Sequence, residues 1–143
     1  MNKNPEGSGL KLDTNSPSVL IVDPISPLRL SIREILTSSG FIIIGEAEDV
    51  HQAVAHIKRI KPDLVIMSTK LKDEDGLAVL KLLRTVYPDL KAILLTGDTS
   101  EALSLAGNGE THVVTKPINR LRLVELANEL TSKDKTSRER SNK

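Results

Sequence analysis

Residues 61–80, KPDLVIMSTKLKDEDGLAVL, contain an apolar run, an acidic loop and the beginning of a helical pattern. The run at 64–67 is continuously apolar, which is typical of a strand buried on both faces. Leucines then recur over residues 77–83 at the spacing of one helix face, and the pattern ends before Pro88. This stretch therefore predicts a buried strand, a polar loop and an amphipathic helix.

The same alternation continues in both directions from this unit. Further apolar runs of strand type lie at 19–22, 41–44, 92–95 and 112–114. A helical pattern follows each run. Asp49 and Asn119 are suitable N-caps for two of these helices, and the fourth helix is predicted at Ser100–Ala106. Gly45 is expected to end the second strand.

Strands that are unbroken apolar runs, each followed by a helix, predict a parallel sheet covered by helices on both faces. Five such units predict an α/β fold, namely a doubly wound, five-stranded parallel sheet with the flavodoxin-like (βα)5 strand order 2-1-3-4-5. On this fold, ligands bind beyond the carboxyl ends of strands 1 and 3, where the strand order reverses.

The composition is that of one soluble domain. The chain has 143 residues, of which 38% are apolar and 27% charged. A chain of this size buries enough surface to need no covalent staple. We expect a disordered polar lead at 1–17, a folded domain at 18–130 and a basic, disordered tail at 131–143.

Charge and residue types exclude several classes of function. Residues 18–130 carry thirteen basic and fifteen acidic side chains, so the core has no electrostatic attraction for nucleic acid. The absence of cysteine excludes a disulfide framework, a thiolate nucleophile and a cysteine-rich zinc site. No apolar run exceeds four residues, and the N-terminal MNKNPEGSG lacks the apolar segment of a secretory signal. We therefore expect a cytoplasmic protein that neither spans nor binds a membrane.

Polar residues follow four of the predicted strands. Asp23-Pro24 follows strand 1, Ser68 follows strand 3, Thr96 follows strand 4 and Lys116 follows strand 5. Because the carboxyl ends of parallel strands meet at one edge of the sheet, we expect these side chains to line one crevice.

Six motifs along the chain carry a family resemblance. They are VLIVD (19–23), GEAEDVHQAV (45–54), KPDLVIM (61–67), DGL (75–77), YPDLKAILLTG (87–97) and TKP (115–117). In this order and at this spacing they resemble the response-regulator receiver domain, the CheY-like phosphoaspartate switch of two-component signalling. The resemblance covers Ser18–Leu130 and implies the same (βα)5 fold.

The resemblance also implies a phosphorylation pocket, which this sequence retains only in part. Family members usually close strand 1 with two adjacent acids that help to hold Mg²⁺, whereas this chain has Asp23-Pro24. Their phosphoaccepting aspartate ends strand 3, where this chain has Ser68. The hydroxyl residue after strand 4 and the lysine before a cis-prone proline are retained as Thr96 and Lys116.

The remaining pocket is predicted to be neutral and chemically inactive. Asp23 against Lys116 gives a total charge of zero, so Mg²⁺ binding is expected to be lost or weak. Ser68 is a weak nucleophile unless a base removes its proton, and Asp23 is expected to pair with Lys116 instead. The aromatic switch residue that receivers carry in strand 5 is replaced by Val113. We expect no catalytic residue, no metal, no other cofactor and no enzymatic activity.

The leading prediction is a pseudo-receiver, a signalling module that binds a protein partner independently of aspartate phosphorylation. The partner would be a kinase, an output domain or another regulator. A second copy of the chain, forming a homodimer, is an alternative partner. The resemblance implies a partner face built from helix 4, strand 5 and helix 5, or from helix 1. One alternative is a working receiver with a substitute acceptor such as Asp73, Asp75 or Ser68 itself. Another is a regulatory domain that binds a small anion through Lys116 and Thr96.

Overall fold

A computed structural model describes residues 16–106 and 111–141, and within them five strands alternate with five helices. The elements are β1 (Ser18–Val22), α1 (Ser26–Thr37), β2 (Ile42–Ala47), α2 (Val50–Arg59), β3 (Leu64–Ser68), α3 (Gly76–Val86), β4 (Ala92–Thr96), α4 (Thr99–Ala106), β5 (His112–Thr115) and α5 (Arg120–Ser141). Residues 1–15 of the predicted lead and 142–143 of the predicted tail lie outside the described part.

The strands form one parallel sheet in the order β2-β1-β3-β4-β5, which confirms the predicted order 2-1-3-4-5 and the α/β class. Every residue of β3 and β4 is buried, and so is β1 from Val19 onward. Because both faces of these central strands are covered, their sequences are continuously apolar rather than alternating.

Alternate residues of a strand point to opposite faces of the sheet, and each face has its own apolar core. Val19 and Ile21 of β1 pack with α1 and α5, whereas Leu20 and Val22 pack with α2, α3 and α4. Burial of apolar surface in these cores stabilises the fold by roughly 25 cal/mol per Å². The two cores hold the carboxyl ends of the strands side by side at one edge of the sheet.

Three strands extend one residue beyond their predicted apolar runs, to Ser68 in β3, Thr96 in β4 and Thr115 in β5. The backbone ladder continues through these polar residues, since Ser68 is opposite Leu95 and Thr96 is opposite Thr115. Ladder hydrogen bonds use main-chain groups and do not depend on side-chain polarity. Ser68 and Thr96 are therefore held by the sheet itself rather than by loops.

The prediction that Gly45 ends the second strand is wrong. β2 continues through Gly45 to Ala47, with a register shift in its pairing between Val19 and Leu20 of β1. A Cβ on residue 45 would lie 2.5 Å from Nδ1 of His56 on α2. The glycine leaves room for the imidazole of His56, which lies directly against this position of the strand.

Two helices begin at the N-cap residues that the sequence predicts. Asp49 accepts the N–H of Gln52 over 2.9 Å and Asn119 accepts the N–H of Arg122 over 2.8 Å, which confirms both predicted N-caps.

The last helix enters the predicted tail. α5 continues through residues 131–141 as far as Ser141, and the prediction of a disordered tail stays a prediction. Lysine, arginine and glutamate favour helix, and extending a helix is easier than starting one. Although α5 has 22 residues, no helix among the described residues has the length and apolar character needed to cross a bilayer.

Candidate functional site

Four polar side chains are buried at the carboxyl edge of the central strands. Within residues 16–105 and 111–132, for which burial is described, the buried polar or charged residues are Asp23, Ser68, Thr69 and Thr96, each at most 3% exposed. Asp23 directly follows β1, Ser68 ends β3 with Thr69 next in the chain, and Thr96 ends β4. The sheet thus brings three of the predicted site residues to one edge.

Both carboxylate oxygens of Asp23 are engaged. Oδ1 accepts a hydrogen bond of 2.7 Å from the backbone N–H of Ile25. Oδ2 accepts the hydroxyl of Ser68 and forms an ion pair of 3.4 Å with Nζ of Lys116. A buried carboxylate requires such donors, because its removal from water is otherwise very unfavourable.

Lys116 reaches Asp23 from the loop after β5. Its backbone N–H donates to the carbonyl of Thr96 over 2.8 Å, and its peptide bond to Pro117 is cis. The lysine side chain is 29% exposed while that of Asp23 is fully buried. The cation of this pair therefore lies nearer to solvent than the anion.

A second cation borders Asp23 from α1. Nη1 of Arg29 donates to the backbone carbonyl of Asp23, and Nε of Arg29 lies 3.1 Å from Oε1 of Glu46 on β2. Arg33, one turn further along α1, pairs with Oε2 of Glu46 at 2.7 Å. Burial raises the pKa of Glu46, but the hydrogen bonds and charges of Arg33 and Arg29 outweigh burial and hold that pKa below its usual value of 4.5.

Glu101 of α4, a residue that the sequence analysis did not select, also reaches this edge. Its Oε1 accepts hydrogen bonds from the hydroxyls of Thr69, at 2.9 Å, and Thr96, at 2.5 Å. The charge count made from the strand ends alone omitted this carboxylate. The edge holds the predicted pair of Asp23 and Lys116, and in addition Glu101, with Arg29 beside it.

The carboxylates at this edge that could hold a Mg²⁺ ion are hydrogen-bonded within the chain. Mg²⁺ needs oxygen ligands in a near-octahedral arrangement, usually including one or two carboxylates. The oxygens of Asp23 already accept three donors, Pro24 supplies no side-chain oxygen, and Glu101 is bonded to two threonine hydroxyls. In the part of the chain that the structure describes, no three His, Cys, Asp or Glu side chains are grouped to hold a metal.

Comparison with known proteins identifies the family. The profile of the response regulator receiver domain matches residues 19–128. The chain belongs to the response regulator receiver family. It is therefore a receiver domain of two-component signalling, and it has the five-stranded parallel fold predicted from the sequence.

Individual relatives match most of this receiver. It is 31% identical over 112 residues to the chemotaxis protein CheY of Bacillus subtilis, covering 77% of this chain and 93% of that protein. It is 29% identical over 114 residues to CheY of Thermotoga maritima, covering 78% and 95%. Among solved structures, NtrX from Brucella abortus superposes with a TM-score of 0.78 at 27% identity, over 89% of this chain and 29% of that one.

In strand 5 of the receiver, the predicted switch position is occupied by an apolar side chain that packs against the core. Val113 is half-buried, lies opposite Leu94 of β4 and packs on the core that α2, α3 and α4 cover. Its side chain is short and branched, packs against the core and has no polar group to present to a partner.

The acidic loop of the receiver shapes the start of α3. Asp75 is the N-cap of α3 and accepts the N–H of Leu77 over 3.2 Å, while Asp73 is exposed. The N–H of Gly76 donates to the carbonyl of Thr69 over 2.7 Å, and a Cβ on residue 76 would lie 2.0 Å from the carbonyl oxygen of Ser68. Glycine thus allows α3 to begin directly against the strand end that carries Ser68.

Sequence reasoning missed four residues near the site whose contacts join distant positions, namely Arg29, Glu46, Thr69 and Glu101. The hydrogen bond from Thr69 to Glu101 joins residues 32 positions apart, and the bond from Arg29 to Glu46 joins residues 17 apart. One local signal was available, because Asp98 and Glu101 have the spacing of a capping box at the start of a helix. That signal would have placed Glu101 in the first turn of α4 without revealing its contacts.

Proposed function

We propose that this receiver is a phosphorylation-independent interaction module of two-component signalling, with no enzymatic activity of its own. One observation carries the proposal: the hydroxyl of Ser68 donates to Asp23 at the strand end where receivers usually carry the phosphoaccepting aspartate. A neutral hydroxyl group stands where phosphoryl transfer would need an anionic oxygen.

Ser68 is poorly suited to replace the missing nucleophile. A serine hydroxyl attacks phosphorus only when a base removes its proton, and the group that Ser68 contacts is Asp23. Asp23 is at the same time ion-paired with Lys116 and bonded to the N–H of Ile25, which stabilises its charge in place. Ser68 is also only 1% exposed, so a phosphodonor has little access to its oxygen.

The same contacts argue that the receiver has no resident Mg²⁺. Recruiting the ion to Asp23 would require breaking the carboxylate's bonds to Ser68, Lys116 and Ile25. Pro24 offers no second carboxylate to compensate for those losses. Without Mg²⁺, a phosphoryl group would be repelled by the negative charge of Asp23.

The alternative of a small-anion binder receives less support from the same geometry. The two groups expected to grip an anion are Lys116 and Thr96. The ammonium group of Lys116 pairs with Asp23, and the hydroxyl of Thr96 donates to Glu101. An incoming anion would have to compete with two carboxylates that belong to the chain.

The partner is proposed to be another signalling protein, such as a kinase, an output domain or a regulator, or a second copy of the chain. The family resemblance implies a face formed by α4, β5 and α5. Each of the two helices carries an exposed leucine, Leu103 of α4 at 72% and Leu121 of α5 at 68%. Exposed apolar side chains of this size are common in surfaces that bind proteins.

The proposal is tested by incubating the native chain with acetyl phosphate and Mg²⁺ and measuring its intact mass. We expect no added phosphoryl group, because the crevice lacks both an anionic acceptor and a cation site. CheY of Bacillus subtilis, a relative of similar length, is a suitable reference under the same conditions.

A stoichiometric gain of one phosphoryl group by the native chain would contradict the proposal. The variants Asp73→Asn and Asp75→Asn would then show whether a loop acid is the substitute acceptor, and Ser68→Ala would show whether the serine is. Asp75→Asn keeps an acceptor for the N–H of Leu77, so the cap of α3 is retained in that variant.

A further inference from the structure

The first turn of α4 is attached to the ends of two central strands by one side chain. Oε1 of Glu101 accepts the hydroxyl of Thr69, beyond the end of β3, and the hydroxyl of Thr96, at the end of β4. Thr69 and Thr96 are 3% and 2% exposed. A single carboxylate oxygen thus serves two buried donors that come from neighbouring strands.

This arrangement differs from an ordinary helix cap. In a capping box the acid at the third helical position returns to the backbone N–H of the N-cap residue. Here the N–H of Asp98 donates instead to Oγ1 of Thr96 over 3.0 Å, and the side chain of Asp98 accepts the N–H of Glu101 over 3.2 Å. The helix start is already capped, so the carboxylate of Glu101 is available for contacts outside its own helix.

Because the two hydroxyls are buried, loss of their hydrogen bonds destabilises the fold more than loss of exposed hydrogen bonds would. When a buried donor loses its acceptor, no hydrogen bond offsets the free energy that its removal from water required. Hydrogen bonds to a charged acceptor are also stronger than those between neutral groups. Displacing Glu101 would leave Thr69 without the acceptor that it has here.

We infer that Glu101 is a positioning residue that holds α4 against the ends of β3 and β4 through Thr69 and Thr96, a set of contacts that we call the Glu101 clasp. The clasp is a conformational device of this chain that needs no ligand. Leu103 follows two residues later on α4, so the clasp also fixes where this exposed leucine is presented. The inference concerns the position of α4 and goes beyond the proposed loss of phosphorylation.

The clasp is tested by amide hydrogen exchange of α4, measured in the full chain. We expect Glu101→Ala and Thr69→Val each to speed exchange of the α4 amides by roughly tenfold, while amides of β1 keep their protection. Thr69→Val is the decisive variant, because it removes the hydroxyl without touching α4 or its capping. Thr69→Ser keeps a hydroxyl donor and is expected to exchange like the native chain.

The double variant Thr69→Val/Glu101→Ala distinguishes the clasp from a general effect of a negative charge at a helix start. If the two residues act through their mutual hydrogen bond, Thr69→Val adds little once Glu101 is absent. Glu125→Gln, at an exposed acid of α5, is the matched control for loss of one charge and is expected to leave α4 unchanged.

Unchanged α4 exchange in Thr69→Val would overturn the inference, as would fully additive effects of the two changes. Equal acceleration in β1 and α4 would also count against it, because that result indicates global destabilisation. None of these measurements involves a phosphodonor or Mg²⁺. The clasp and the proposed function can therefore fail separately.

Discussion

At the scale of single residues, the crevice is defined by the hydrogen bonds and the ion pair that the carboxylate of Asp23 makes. A fully buried carboxylate must find donors inside the protein, and Asp23 finds three of them in Ile25, Ser68 and Lys116. Each donor occupies a lone pair that a metal ion or a phosphoryl group would otherwise approach. The same bonds that make the buried charge tolerable are the basis of the proposal that Asp23 holds no metal ion.

A residue-scale prediction concerns Gly76, where the backbone of α3 meets β3. A Cβ at this position would lie 2.0 Å from the carbonyl oxygen of Ser68, so Gly76→Ala must displace the strand end or the helix. We expect a loss of about 2 kcal/mol in the free energy of unfolding, despite the better helix propensity of alanine. Chemical denaturation measures this loss.

Gly97→Ala is the matched control for this substitution. A Cβ on Gly97 would meet nothing within 4 Å, so the change should stay within about 0.5 kcal/mol of the native chain. Equal stability of Gly76→Ala and Gly97→Ala would show that the contact between Ser68 and α3 is not as tight as described.

At the scale of elements, α1 and β2 are joined beside the crevice by one acid and two arginines. Glu46 of the edge strand β2 bonds to both Arg29 and Arg33, and Arg29 also donates to the carbonyl of Asp23. These bonds connect the edge strand to the end of β1 through α1. Charge-assisted bonds to a partly buried acid stabilise a fold more than exposed ion pairs do.

The element-scale prediction is a pH dependence. Because the arginines lower the pKa of Glu46 in the folded chain, its contribution to stability is fully present above the ordinary value of 4.5 and is lost as pH falls through the lowered folded pKa. Glu46→Gln should therefore be less stable than the native chain at neutral pH, with the difference shrinking in acid. Urea unfolding between neutral pH and acid measures it, and Glu48→Gln, at an exposed acid nearby, controls for loss of one charge. A difference that stays constant down to the acid limit would contradict the assigned pairing.

The elements also show which features local sequence patterns reveal and which they do not. Apolar runs predicted the strands, because a parallel strand buried on both faces has a continuously apolar sequence. Their alternation with five helical patterns predicted the strand order that the structure has. Gly45 was misinterpreted, since a glycine at a close helix contact looks the same in sequence as one that ends a strand. Contacts of Glu101 with Thr69 depend on how α4 docks, and no local pattern records docking.

At the scale of the whole molecule, two apolar cores support a polar edge whose side chains bond to one another. The cores fix β1, β3 and β4 side by side, and their ends bring Asp23, Ser68 and Thr96 together. Lys116, from the loop after β5, and Glu101, from α4, contact these residues at the same edge. The receiver fold is retained, and the groups at its functional edge satisfy one another.

A variant of the whole crevice would separate fold from chemistry. Pro24→Asp/Ser68→Asp adds two carboxylates beside Asp23, where like charges repel without a cation. We expect this variant to be less stable than the native chain without Mg²⁺ and to gain melting temperature as Mg²⁺ is added, since an ion that binds the folded state stabilises it. Thermal unfolding of the native chain should show no such gain, and a variant insensitive to Mg²⁺ would mean that the missing carboxylates are not what prevents binding.

The most direct measurement of the central claim is an amide NMR titration of the native chain with Mg²⁺ and beryllofluoride, which together mimic a phosphorylated receiver. The amides of Asp23, Ser68, Thr96 and Lys116 report on the crevice, and the account predicts no saturable shift at any of them. Saturable shifts centred on Ser68 would show that the crevice binds the metal and the phosphoryl mimic, and would contradict the account.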